Sequence, residues 1–411
     1  GDNSGYSNTS GARNIFIGAS DGDSSSGCGY SNTTGLRNAF IGFEAGEKNV
    51  SGNDNICFGP RAGNANSTGD RNLYAGNLAG TLGTSGSDNI CLGTTAGYTN
   101  TTGASNINIG NKAGYTGQTA SNTIMIGNNA GFYNTQSLNI MIGTTAGFSN
   151  STGQNNICIG TTAGYTNETS SSNISVGSGA GYSATSANNL FVGSNAGYNT
   201  STGAQNMFIG VEAGNTNTTA SNIICVGYRA GYANTSSGNI FFGIESGFNS
   251  SGADNMVCIG YRAGYANTNG DNHIFIGAEA GVANTTGAQN LSVGYRSGYS
   301  NLTGDNNITV GYQAGYNNTG KNSIYIGTDA AYTATEATDD TSNGTNNISI
   351  GYKSSYSMTT GKNNIVIGNE AGYDITTASS NVVMGYRAGY NAVSSDNSLI
   401  IGFEAGYTQT T

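Results

Sequence analysis

The residues with reactive side chains are few, and their spacing decides what they can do. Six cysteines and one histidine, His273, stand among 411 residues. Cys57, Cys91, Cys158, Cys225 and Cys258 all fall in one periodic column, and only Cys28 stands elsewhere, in an insertion. Within that column Cys57 and Cys91, and likewise Cys225 and Cys258, are two periods apart. In a β-stack two periods span about 9.5 Å, whereas a disulfide needs Cα atoms within about 7 Å. The thiols therefore read as small apolar fillers. No CxxC or HxxH spacing exists for zinc. Serines are abundant, but His273 could serve at most one of them and no triad surrounds it. The glycine-rich stretch 80–86 lacks the Gly-Lys-Ser/Thr of a phosphate loop, and Gly351-Tyr352-Lys353-Ser354 has the wrong spacing. Asp54, Asp70, Asp254, Asp271 and Asp305 are too sparse for a ladder of calcium sites. No catalytic residue, cofactor or metal site is expected, and an enzyme is not.

What these residues sit in is a ruler. A pivot glycine, usually preceded by Ile or Val, recurs at Gly18, Gly42, Gly59 and so on to Gly402. Of the 22 intervals, 16 are 17 residues and four are 16; the two of 24, Gly18 to Gly42 and Gly327 to Gly351, carry insertions near 19–30 and 333–346. A fixed short period means that each unit contacts mainly its neighbours. The expected architecture is all-β: one parallel β-solenoid, or β-roll, over residues 1–411, with about 23–24 coils of 16–17 residues.

Composition agrees. The chain has 67 Gly, one Pro, no Trp and only 9% charged residues, far from a typical globular enzyme. Disorder is excluded by the regular placement of Ile, Val, Phe and Tyr. A net charge of −10 without a basic run excludes nucleic acid as a partner. No apolar stretch approaches the roughly 20 residues that span a bilayer, so membrane insertion is not expected.

Numbered from the pivot, the columns show their chemistry. Residues one and three before it are aliphatic (Ile90 and Leu92, Ile157 and Ile159, Ile274 and Ile276), reading as a short strand with one face in the core. Two variable residues follow the pivot, then Ala-Gly and usually Tyr, as in Ala96-Gly97-Tyr98. This segment reads as a second short strand. Asn-Thr-Thr-Gly turns complete the coil.

Stacking puts like over like, and four ladders follow. Asparagine enters every strand, four or five residues before the pivot. Tyr or Phe fills the position five after it from Tyr98 to Tyr407 in most coils. The position two after it alternates in charge: Glu212, Arg229, Glu245, Arg262, Glu279, Arg296, and later Glu370, Arg387, Glu404. Such alternation is what in-register parallel stacking requires. The fourth column, two before the pivot, is expected to point away from the core, because strand side chains alternate. It holds Phe16, Phe40, Cys57, Cys91, Met125, Met141, Cys158, Phe191, Phe208, Cys225, Phe241, Cys258 and Phe275, and is apolar in 18 of 23 coils. An outward apolar stripe of that length implies burial against other copies, most simply around a threefold axis.

Asn-x-Ser/Thr sequons at Asn8, Asn32, Asn66, Asn100, Asn150, Asn199, Asn217, Asn234, Asn284 and Asn301 are candidate glycosylation sites in a secreted protein.

The unit Asn-x-Ile-x-Ile-Gly-x-x-Ala-Gly, carried by Asn156 to Gly164 and Asn364 to Gly372, resembles the head repeat of trimeric autotransporter adhesins and related repeats of phage and bacterial tail fibres. The likeness covers essentially the whole chain and implies a trimeric β-roll at a cell surface that binds host or matrix components. The turns here are longer, and no helical stalk or membrane barrel is seen. The expected role is a structural subunit of an extracellular or cell-surface fibre, a homotrimer packed laterally through the apolar column and continued axially by further copies. The alternative is an adhesin segment recognising surface glycans or proteins, and a lesser one an ice-binding solenoid.

Overall fold

The computed structural model describes residues 3–18, 26–335, 346–391 and 396–408. Residues 19–25 and 336–345, the greater part of the two expected insertions, lie outside the described residues. The chain divides into two compact units, Gly1–Gln205 and Asn206–Thr411. Each is an all-β parallel solenoid.

The first unit stacks eleven three-residue strands, β1 (Ile15–Ile17) to β11 (Leu190–Val192), and the second twelve, β12 (Met207–Ile209) to β23 (Leu399–Ile401). Within each unit every strand pairs in parallel with the next in sequence, and the register is column on column: Phe40 faces Cys57, Cys57 faces Tyr74, and Cys225, Phe241 and Cys258 follow one another. The 16-, 17- and 24-residue periods all return the chain to that register, because variation in length is absorbed in the turns.

Two glycine columns explain why the coil closes where it does. At the pivot, Gly93 lies at φ +131°, and a Cβ there would come within 2.6 Å of the Gly110 carbonyl oxygen. Stacked backbones approach too closely for any side chain. Four residues on, Gly46 sits at φ +57° with the Phe40 ring where its Cβ would be, 2.6 Å away. That second glycine gives the side chain two before the pivot its seat.

The segment after the pivot is not a second strand. Positions two and four after the pivot both adopt left-handed backbone (Thr95 φ +54°, Gly97 φ +59°), which curls the chain through successive turns. Its amides still bond from coil to coil: Gly63 N–H to the Ala79 carbonyl at 2.9 Å, Ala65 to Thr81 at 2.9 Å, Ser67 to Thr84 at 2.8 Å. One strand and a train of turns per coil thus satisfy the backbone as two strands would.

The core of each unit lies inside the coils. It consists of the middle strand residue, the alanine three after the pivot and inward asparagines. Phe40, Cys57, Ala62, Tyr74, Ala79 and Cys91 form one such cluster, and Met125, Ala130, Met141, Ala146 and Cys158 another. Cys28 takes an alanine site: it is followed by Gly29 and Tyr30 in the left-handed glycine and aromatic columns, and is fully buried beside Phe40.

Candidate functional site

The column expected to face outward faces in. Phe40, Cys57, Cys91, Met125, Met141, Cys158 and Phe191 in the first unit, and Phe208, Cys225, Phe241, Cys258 and Phe275 in the second, are at most 1% exposed within the single chain. Phe16, in the outermost described strand, is half-buried and packs on the first-unit cluster. These side chains are core, so none of them forms a lateral interface. The physical reason is the glycine four after the pivot. With no Cβ, it lets the middle strand residue turn inward over the alanine floor, which sends its two strand neighbours out.

Those neighbours make the outer face. In all 23 described strands both end residues are apolar and none is buried, whereas the middle one is buried in every strand but β1. Ile159, Ile224, Ile276 and Ile326, away from the unit ends, remain 36–37% exposed. Each unit therefore presents two parallel ranks of mainly β-branched side chains at one coil spacing. Three residues by eleven or twelve strands is about 10 Å by 50–60 Å, roughly 500–600 Å². That is as large as the largest apolar patch an ordinary soluble monomer leaves open.

On the turn after the pivot, charges meet in pairs. Arg229 Nε donates to Glu212 Oε2 at 2.5 Å, Arg262 to Glu245 at 2.7 Å, Arg296 to Glu279 at 2.5 Å and Arg387 to Glu370 at 2.6 Å. Each arginine takes the glutamate of the coil before it, so the ladder is a series of discrete pairs. Glu404 is exposed and forms no ion pair among the described residues. Each arginine also lies over two tyrosine rings, its own coil's neighbours on either side: Arg262 is 5.3 Å from Tyr261 and 5.1 Å from Tyr265. A second charge column, five before the pivot, went unread in the sequence. There Arg37 binds Asp54 and Arg71 binds Asp88, each through Nε and Nη2, and the carboxyls of Asp54 and Asp88 are held below their usual range by those bonds. The alternation Arg37, Asp54, Arg71, Asp88 was the available signal.

The aromatic ladder is continuous over long runs. Rings from Tyr98 to Tyr198 stack coil on coil at 4.8–5.3 Å, and seven tyrosines do so from Tyr299 to Tyr407. Their faces cover one another, so the surface receives edges and hydroxyls.

Asparagines hold the coils together mainly by side-chain to backbone bonds, joined at some coils by amide-to-amide bonds such as Asn72 Nδ2 to Asn55 Oδ1 (3.1 Å). Asn72 Oδ1 accepts the Asn89 backbone N–H (2.9 Å), while its Nδ2 donates to the Gly86 carbonyl of the next turn (2.9 Å). His273 occupies this column, and its Nδ1 accepts the Asn290 N–H at 3.1 Å as an asparagine oxygen would. Its Nε2 makes no hydrogen bond, although the Gly287 carbonyl is near enough to favour a proton there. Burial outweighs that and lowers the imidazole to about 4.

A second asparagine column, seven after the pivot, contains most of the sequons. Asn32, Asn66, Asn100, Asn150, Asn217, Asn234, Asn284 and Asn301 are buried. Most donate Nδ2 back to the turn, as Asn66 does to Gly69 (3.0 Å) and Asn301 to Gly304 (3.0 Å). A glycan on these nitrogens would require the coil to open. Only Asn8 and Asn199 of the ten are exposed.

All six cysteines are free and buried, and burial raises their thiols, Cys91 and Cys158 to about 12. Among the described residues no three His, Cys, Asp or Glu side chains gather as a metal site, and no helix is long and apolar enough to cross a membrane. Comparison with known proteins finds no matching family model, no matching curated protein and no matching solved structure.

Proposed function

We propose that this chain is a structural subunit of an extracellular or cell-surface filament, in which copies pack laterally through the outer face of the strands. The observation that carries the reading is the uninterrupted apolar character of both strand-end columns, left half-exposed by the single chain. A partner that covers every side chain of two ranks must share their axial period. Another copy of the same solenoid has that period by construction, and three copies around an axis would close the arrangement without an open side. The likeness of the repeat to autotransporter head repeats points the same way. On this reading the chain performs no catalysis: its thiols stay protonated and its one imidazole is sealed in a core.

Sedimentation velocity and electron microscopy of the purified chain test this. The native chain is expected to sediment as a multimer and to appear as rods. A variant with Ile157, Ile159, Ile274 and Ile276 each changed to Lys should sediment as a monomer with an unaltered far-ultraviolet β signal, since those side chains point out. A native chain that sediments as a monomer, or a variant that associates as before, overturns the reading.

A further inference from the structure

The arginine pairs of the second unit share a geometry that their role in register does not require. Arg229, Arg262 and Arg296 each engage glutamate through Nε alone, unlike Arg37 and Arg71, which spend Nε and Nη2 together. Their Nη groups thus remain available in a planar, bidentate arrangement. The glutamates are the more covered partners: side-chain exposure is 40% for Arg262 against 16% for Glu245, and 33% for Arg296 against 17% for Glu279. Solvent therefore meets guanidinium first. Two tyrosine rings flank each guanidinium and fix its plane.

The three sites stand two coils apart, about 9.6 Å at the inter-strand spacing. In the intervening coils the residue next to the pivot is Ile244 or Ala278, apolar in place of tyrosine, and the residue after it is the mostly covered Glu245 or Glu279. Along one edge the surface thus alternates cation between rings, then apolar floor, then cation again. That step is close to one disaccharide of an extended linear glycan. We propose that this comb binds a linear acidic polysaccharide bearing one carboxylate per disaccharide. Each carboxylate takes the free Nη pair of one arginine, and the intervening neutral sugar lies with its C–H face over Ile244 or Ala278. A single exposed contact of this kind is weak, but contacts in register along one chain reinforce one another.

The test uses the full chain and hyaluronan, an alternating polymer of glucuronate and N-acetylglucosamine, with binding measured by calorimetry at low and high salt. Binding is expected at low salt and should weaken as salt rises, because exposed charges are screened. Arg262→Gln, the central tooth, should weaken it about tenfold, the loss of one charge-assisted hydrogen-bonded contact. Lys112→Gln, an exposed cation of the first unit outside the comb, should leave it unchanged. Polygalacturonate, with a carboxylate on every sugar, should bind more weakly per carboxylate, and neutral dextran not at all. If Arg262→Gln disturbs folding, Tyr261→Leu, which removes one flanking ring and keeps the charge, replaces it and should also weaken binding. No binding of hyaluronan at low salt overturns the proposal. So does an equal effect of Lys112→Gln, or polygalacturonate binding as well per carboxylate.

Discussion

From Asn77 to Asn195 the two sites after the pivot hold Asn-Leu, Thr-Thr, Asn-Lys, Asn-Asn, Thr-Thr, Thr-Thr, Ser-Gly and Ser-Asn. From Val211 to Glu404 the same sites hold mostly Tyr before Arg or Lys, alternating with a residue before Glu. Under these different edges the interior is the same. Phe191 in the first unit and Phe241 in the second are both wholly buried, each against the glycines that follow the pivot by four. The contrast separates two kinds of constraint. Inward columns are fixed by space, since neighbouring coils and glycine backbone leave no slack. The edge sites are fixed only in backbone, all of these left-handed at the second position, and their side chains are free to diverge.

If the interiors are equivalent, truncating either should cost the same. Phe191→Ala and Phe241→Ala are each expected to lose about 3–5 kcal/mol, the usual result of opening a cavity in a packed core. Denaturant unfolding with a probe in each unit measures both. A loss below about 1 kcal/mol in one unit alone would break the equivalence.

That equivalence was legible in the sequence, but the sense of the strand was not. The period, the pivot, the aromatic column and the axial neighbours of each charge follow from spacing, because parallel stacking in register sets Glu245 between Arg229 and Arg262; that it pairs with Arg262 alone does not. A three-residue strand, however, alternates out-in-out or in-out-in, and here all three positions are apolar in most coils. Phe241 between Ile240 and Phe242 cannot be oriented by polarity. Two signals could have decided it. The middle column alternates large and small, Cys225, Phe241, Cys258, Phe275, as an enclosed space demands. Its polar members, such as Ser175 and Thr309, are small and uncharged. The sequons misled for a related reason: Asn66 and Asn301 are good turn residues because they turn inward to cap the turn, which removes them from solvent. The left-handed arginines and glutamates leave no mark in composition, since their conformation is imposed by the stack.

Only the second unit carries an imidazole in the asparagine column, and this makes acid a way to separate the units. In the folded state His273 is held at about 4, below its ordinary 6.5, chiefly by burial, with Asp271 and Asp305 as the nearest carboxylates. The unfolded chain therefore takes up the proton first. The stability contributed by keeping this histidine neutral is complete above pH 6.5 and falls as pH drops towards 4. Below that the folded state also protonates and the loss levels off. The expected loss is about 2–3 kcal/mol. His273→Asn should abolish that part of the acid sensitivity, since asparagine restores both the acceptor for Asn290 and a donor for the Gly287 carbonyl. Unfolding free energies at pH 7 and pH 4 for the native chain and the variant decide it: equal slopes in both would mean that His273 is not the group responsible.

The sharpest comparison uses one substitution at equivalent edge sites. Thr162 is β-branched yet sits at φ +55°, and its hydroxyl bonds only to the preceding carbonyl, Thr161 O at 2.7 Å. Asparagine tolerates that backbone better, so Thr162→Asn should stabilise the first unit by about 0.5–1 kcal/mol. Arg262 at φ +53° bears a similar backbone penalty. There Arg262→Asn also removes the bond to Glu245 and two ring contacts, and strands a mostly covered carboxylate. The same change should therefore destabilise the second unit, and the effect should shrink as salt rises. Thermal unfolding of the two variants at low and high salt reads both signs. Two gains would mean that the pair and its rings contribute nothing to the folded state. Two losses would mean that the left-handed threonine is under no strain. Opposite signs would show that the Thr162 site tolerates its residue whereas the Arg262 site depends on its own.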